Sequence, residues 1–255
     1  MGHERVGVLP KTQPWKGVVN QITSFSGTEV DASEIASSTL ANVRSRFESI
    51  QHDSGIKAAF KFLVALSISA RPDKTAPYGL QISPALSPLA LAKALHQWVS
   101  SNRDSLEYAQ LAQGAASDAI ANWYSDHSSQ KSLFQGEGEQ TEIWSKTATG
   151  AGFCELSRLF FAKFTERYLN YFLEREASAS CRTIEQRDSL QGQLRQHIDT
   201  ISKHAFETAK ITQSFAAGWH NLHTKESTPS DKEVEAFLAI AFGKIREELR
   251  REGNK

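Results

Sequence analysis

The amino-acid sequence predicts an all-α fold, an irregular bundle of about eight helices with almost no sheet. The first observation behind this is the stretch 150–176, GAGFCELSRLFFAKFTERYLNYFLERE. At 3.6 residues per turn, Phe153, Leu156, Phe160, Phe164, Tyr168, Tyr171 and Phe172 fall in one sector, which Phe161 and Leu169 widen. A stripe this wide is buried on more than one side, while Glu155, Lys163, Glu166 and Asn170 share the narrow remaining face, so the stretch reads as a core helix and not a membrane span. The second observation is the stripe Leu190, Leu194, Ile198, Ile201, Ala205, Thr212 and Trp219, which predicts a second long helix over 184–219. Packed together, helices near 153–176 and 184–219 are expected to form the core. The third is a series of helix-start signatures along the rest of the chain.

Taken in order, residues 6–9 are a short apolar patch closed by Pro10, an extended arm or a very short strand. Pro14 opens a first helix carrying Trp15, Val18, Val19 and Ile22. Asp31 and Glu34 read as a capping box for a second, which runs through Ile35, Leu40, Val43, Phe47 and Ile50 to about His52. Residues 53–55 interrupt it, and a third follows with Ile56, Phe60, Leu63, Val64 and Leu66 to the Arg71-Pro72 step. Residues 72–86 are irregular and proline-rich, with 78–82 extended. Ser87-Pro88 opens a helix through Leu91, Leu95, Trp98 and Val99, and Asp104 starts one through Leu106, Ala109, Ala116, Ile120 and Trp123. Residues 125–149 are polar and read as loop, with 142–144 touching the core. Pro229, Ser230, Asp231 and Glu233 cap a final helix whose apolar face is Val234, Phe237, Leu238, Ala241, Ile245 and Leu249.

At 255 residues the chain is long enough for a sizeable core, and it is expected to form a single domain over 1–255, with 72–86 as the place for a lobe boundary. Lys plus Arg is 29 and Asp plus Glu is 29, so no overall field draws the chain to nucleic acid or to an anionic membrane. Cys154 and Cys181, without a secretory segment or an apolar run of membrane length, predict free thiols, no membrane association and a cytoplasmic location.

Several stretches bear on chemistry. Residues 149–152, Thr-Gly-Ala-Gly, precede a helix and present backbone N–H groups, but they lack both the Rossmann spacing and a P-loop lysine, which favours a plain start to the helix. Cys154 lies near the positive end of that helix, where a thiol is activated, but cysteine is among the most buried residue types, which favours a small apolar filler of the core. Arg167 sits inside the aromatic sector, so its charge needs an internal partner or a carboxylate or phosphate from outside. His197 and His204 flank the second stripe too far apart for one ion, and His220, His223 and Glu226 lack a third compelling ligand, so neither metal nor cofactor is expected. Residues 106–123 resemble a helix-turn-helix with Gly114 at the turn, but Asp104, Glu107, Asp118 and Asp126 outweigh Arg103, which favours an alanine-rich packing helix.

These readings favour a helical interaction protein, a subunit or adaptor of a larger cytosolic assembly, whose partner is another protein chain or a second copy of itself. Arg167, Phe161, Tyr168, Phe172 and Phe242 are the expected contact residues, because aromatic residues and arginine anchor interfaces. The alternatives are an enzyme using scattered polar groups such as Cys154, His204 and Arg167, and a DNA-binding regulator acting through 106–123; with the charge balance above, nucleic acid is not an expected partner.

Overall fold

A computed structural model describes residues 11–27, 29–42, 49–72, 74–82, 87–104, 106–128, 137–181, 183–206 and 214–252. The described residues form ten helices and no strand: α1 Gln13–Thr23, α2 Glu29–Asn42, α3 Ser54–Ser69, α4 Pro88–Ser101, α5 Glu107–His127, α6 Glu137–Ser145, α7 Gly150–Ser180, α8 Ile184–Phe206, α9 Phe215–His223 and α10 Asp231–Glu252. The protein is all-α, as the periodicity predicts. The expectation for residues 6–9 lies outside the described residues.

The chain divides into two compact units, and the division falls within α7 and α10. One comprises Met1–Glu48, Thr165–Ala205 and Phe242–Lys255; the other comprises Ser49–Phe164 and Phe206–Ala241. The irregular segment 72–86 belongs to the second unit.

In the first unit α1 packs on α2, and Trp15 of α1 stacks on Phe172 of α7 at 5.8 Å between ring centroids. The loop between α1 and α2 is held by side chains. Asp31 accepts from the backbone N–H of Ser26 at 2.9 Å and from its hydroxyl at 2.6 Å. Gln186 and Gln193, two turns apart on α8, donate to the carbonyls of Phe25 and Gly27. Asp31 is therefore not the cap that opens its helix. It lies inside the first turn of α2 and reaches five residues back to Ser26 in the loop.

In the second unit α3 packs against both α5 and α4, and α4 packs on α5. Asp53 caps α3, its carboxylate accepting from the N–H of Ile56 at 3.0 Å. Thirteen of the sixteen residues of α3 are buried, which makes it the central helix of this unit. Gly55 permits the close approach: a Cβ there would lie 2.4 Å from the Cβ of Ala109 on α5. Phe60 sits at the middle of an aromatic cluster, with ring centroids 4.8 Å from Phe237, 5.7 Å from Phe161 and 6.0 Å from both Phe153 and Phe160.

Other boundaries differ from the sequence reading as well. The stripe over 184–219 is not one helix: α8 ends at Phe206 and α9 starts at Phe215, where Ser214 takes an extended backbone and its hydroxyl accepts from the N–H of Ala217 at 3.1 Å. Within 125–149 the chain forms the helix α6 and a 3-10 turn, Lys146–Ala148, because Ile143 and Trp144 are buried and carry the backbone inward with them.

Candidate functional site

The start of α3 and the end of α4 meet the start of α10 around a cleft of about 150 Å³. Ser54, Lys57 and Lys61 come from α3, Trp98 from α4, Asn102 from the end of α4 and Asp231 from the first residue of α10. Helical spacing explains the set. Ser54, Lys57 and Lys61 are three and four residues apart, so they share one face of α3. The rest of that helix is apolar or small, and this is the side on which it meets solvent.

The walls are fixed by hydrogen bonds. The Trp98 indole N–H donates to the carbonyl of Ala58 at 3.0 Å, Asn102 donates to the carbonyl of Trp98 at 2.9 Å, and the backbone N–H of Asp104 donates to the Ser54 hydroxyl at 2.7 Å. The lysines are only part-exposed, 15% for the Lys61 side chain and 23% for Lys57. Lys61 bonds to Asp231, which is 71% exposed, and Lys57 reaches Glu235 at 3.8 Å; the other oxygen of Glu235 is bonded to His52. The hydrogen bond from Lys61, with the charges of Lys61 and Lys57 behind it, holds the Asp231 carboxyl below the usual carboxylate range. The start of α10 is set by the predicted capping box, in which the Ser230 N–H donates to Glu233 at 2.7 Å.

Tyr78 supports Lys61 from the other side. It has φ 62° and Gly79 follows at φ 73°, with the N–H of Leu80 donating to the carbonyl of Pro77 at 3.2 Å. A bulky residue in the left-handed region is strained by about 1 kcal/mol or more, so packing has to hold it there. The Tyr78 hydroxyl donates to the carbonyl of Pro229 at 2.8 Å, and Lys61 Nζ stands 5.0 Å from the ring centroid in cation–π contact. Burial, with Asp231 and Glu233 nearby, raises the phenol above its ordinary pKa, so it remains a donor.

A second polar cluster lies at the far end of α3. His220 Nε2 is 3.1 Å from the Ser67 hydroxyl and 3.3 Å from the Arg71 guanidinium. Arg71 also donates to the carbonyl of Thr224 and, at 2.6 Å, to its hydroxyl, so its charge rests on the negative end of α9. Burial and the Arg71 charge push His220 down to about 3. A serine beside a histidine suggests a nucleophile and its base, but both are fully buried and the imidazole nitrogen that would take the proton already accepts from a guanidinium. The cluster is a clamp between α3 and α9.

The residues expected from sequence are placed as follows. Phe161, Tyr168, Phe172 and Phe242 are buried, Phe161 in the second unit and the other three in the first. Arg167 is half-buried in the first unit, and His204 is exposed on α8. Cys154 is buried and receives a hydrogen bond from the Ser214 hydroxyl at 3.0 Å. The glycines of 149–152 serve packing: a Cβ at Gly152 would lie 2.0 Å from the carbonyl oxygen of Lys146, and the N–H of Gly152 is taken by the Thr149 hydroxyl at 3.0 Å. Residues 106–123 hold no turn: α5 runs unbroken through Gly114, as the stripe through Ala109, Ala116, Ile120 and Trp123 predicts. His223 bonds to Glu233 at 2.9 Å, and no group of metal-holding side chains occurs among the described residues. None of their helices is long and apolar enough to cross a membrane.

Sequence reasoning missed Lys57, Lys61, Trp98 and Tyr78. The signal was present: two lysines at i, i+4 in a helix that otherwise carries only apolar and small residues. No protein-family model, no curated protein and no solved structure matches the chain.

Proposed function

We propose that this chain is a helical interaction protein, a subunit or adaptor of a cytosolic assembly, and that it presents the Lys57–Lys61 cleft to a partner protein. The observation that carries the reading is the size and lining of that cleft. About 150 Å³ accommodates one side chain, whereas sites for small-molecule substrates run to about 300–1,000 Å³. An indole and Lys61, held by hydrogen bonds and by a strained tyrosine, with the part-buried Lys57 beside them, offer a partner side chain a socket that needs little ordering on contact. The aromatic residues expected at the contact are engaged in the fold's own packing, so the contact is assigned to this cleft instead. Leu89 and Leu222, 82% and 75% exposed, add apolar area to the surface of the same unit. The free thiols of Cys154 and Cys181 fit a reducing compartment.

The test combines mass and capture. Sedimentation of the purified chain from low to high micromolar concentration should show self-association, or the tagged chain should retain a defined partner from its native host that Lys57→Gln/Lys61→Gln fails to retain. A strict monomer that captures nothing contradicts the proposal and favours the enzyme reading.

A further inference from the structure

We infer that the turn at residues 77–80 is a strained latch that sets whether Lys61 is held in place at the cleft, and that it thereby regulates the binding function proposed above, on which its role rests. From Ser69, the last residue of α3, the chain returns to Lys61, about 12 Å back along the helix axis. The tip of this return is the turn. Its two central residues, Tyr78 and Gly79, have φ 62° and 73°, and the N–H of Leu80 closes it by donating to the carbonyl of Pro77 at 3.2 Å. Two successive residues with positive φ are what Asn-Gly supplies at low cost, whereas a bulky side chain in the first position is strained. A tyrosine there opposes the local preference, so the contacts of its side chain have to hold the turn closed.

Those contacts meet beside Lys61. The hydroxyl donates to the Pro229 carbonyl at 2.8 Å, and the ring centroid lies 5.0 Å from Lys61 Nζ. The root of the segment is fixed differently, by Arg71, which donates to the carbonyl of Thr224 and, at 2.6 Å, to its hydroxyl. Arg71 and Tyr78 thus pin the two ends of the connection from α9 to α10, and the strained backbone is at the Tyr78 end. Between these pins the hold is slight. Of residues 74–82 only Leu80 is buried, and the backbone hydrogen bonds described there, Leu80 to Pro77 and Lys74 to Arg71 at 3.4 Å, are local. Such a segment belongs to the low-stability end of a fold and opens without the rest. Opening relieves Tyr78, takes the ring off Lys61, whose side chain is 15% exposed while the latch is closed, and frees Pro229. Lys61 then keeps Asp231 but loses the wall that fixes it, so the socket is ordered in advance only while the latch is closed.

The test is read at Lys61 and Leu80 in the purified full chain. Trace acetic anhydride labels the lysines, and mass spectrometry compares Lys61 with Lys57, one turn earlier on the same helix face, as the internal reference. Tyr78→Phe removes the hydroxyl bond and keeps the ring; Gly79→Ala adds left-handed strain with nothing within 4 Å of the new Cβ. Each should raise the labelling of Lys61 about fivefold relative to Lys57, the worth of one hydrogen bond or of one strained residue. In the unaltered protein the Leu80 amide should exchange by local opening, at a rate that low urea leaves unchanged, while the amides of α3 exchange faster as urea is added. A ratio of Lys61 to Lys57 that stays the same in either variant, or a Leu80 amide that exchanges only with global unfolding, overturns the latch. That second measurement needs no variant to fold. Capture of a partner should weaken in both variants; equal capture, with Lys61 uncovered, overturns the regulation and leaves the binding function standing. A chain that captures no partner fails the binding function, while the latch, read without a partner, stands.

Discussion

His220 combines burial with a neighbouring cation, and its effect on stability follows from that. Its folded pKa is about 3, whereas an unfolded histidine titrates near 6.5. Between those values the unfolded chain binds a proton that the folded chain does not, so stability rises with pH there. The contribution is fully present above pH ~6.5 and is lost as the pH falls towards ~3. Between pH 7 and 4.5 the loss should be roughly 2–3 kcal/mol, read as a drop in the urea unfolding midpoint. His220→Gln keeps an acceptor for Arg71 and should flatten that part of the slope; an identical slope in the variant would refute the assignment. Phe60 tests packing instead. It is fully buried among five other rings, those of Phe153, Phe160, Phe161, Trp219 and Phe237, and Phe60→Ala should cost about 3–5 kcal/mol in equilibrium unfolding. A cost below about 1 kcal/mol would show that the cluster collapses around the gap. The residue scale is where the sequence was least legible. Phe161, Tyr168 and Phe172 show a wide aromatic stripe, but whether such a stripe faces a core or a partner depends on what packs over it, and periodicity carries no such information.

At the scale of helices the sequence was legible where a cap and a stripe coincide before Leu91 and before Val234, but not at Asp31, which lies inside α2. Ser87 before Pro88 and Ser230 with Glu233 mark helix starts in the structure, whereas Asp53, read as part of an interruption, is the cap of α3. Ser214 was missed for a physical reason: the third helical residue after it is Ala217, not a glutamate that completes a capping box, and the apolar spacing carries on across the break. Helix α6 was missed because Ile143 and Trp144 are the only large apolar residues in its sequence, too few to form a stripe. Two glycines test how these helices pack. Gly55→Ala should destabilise by about 1–3 kcal/mol, since the new methyl meets the Ala109 side chain and backbone on α5. Gly192→Ala, in the exposed middle of α8 with nothing within 4 Å, should stabilise by about 0.5–1 kcal/mol. Thermal unfolding of the pair checks both signs, and equal effects would contradict the close approach of α3 and α5.

At the scale of the molecule, the chain builds each unit from segments distant in sequence, and the cleft follows that pattern. Lys57 and Lys61 meet Trp98 from the next helix and Asp231 from one that starts some 170 residues later. A pair of lysines is visible in the sequence; the partners that turn it into a socket are not, because spacing within one helix does not specify what faces it. The central claim is that this socket is where the protein holds its partner. Hydrogen–deuterium exchange of the native chain, alone and with the partner it retains, tests that claim most directly. Slowed exchange at 54–61 and 98–104 in the complex is the result predicted here. Protection confined to other segments, with exchange around the cleft unchanged, would contradict it.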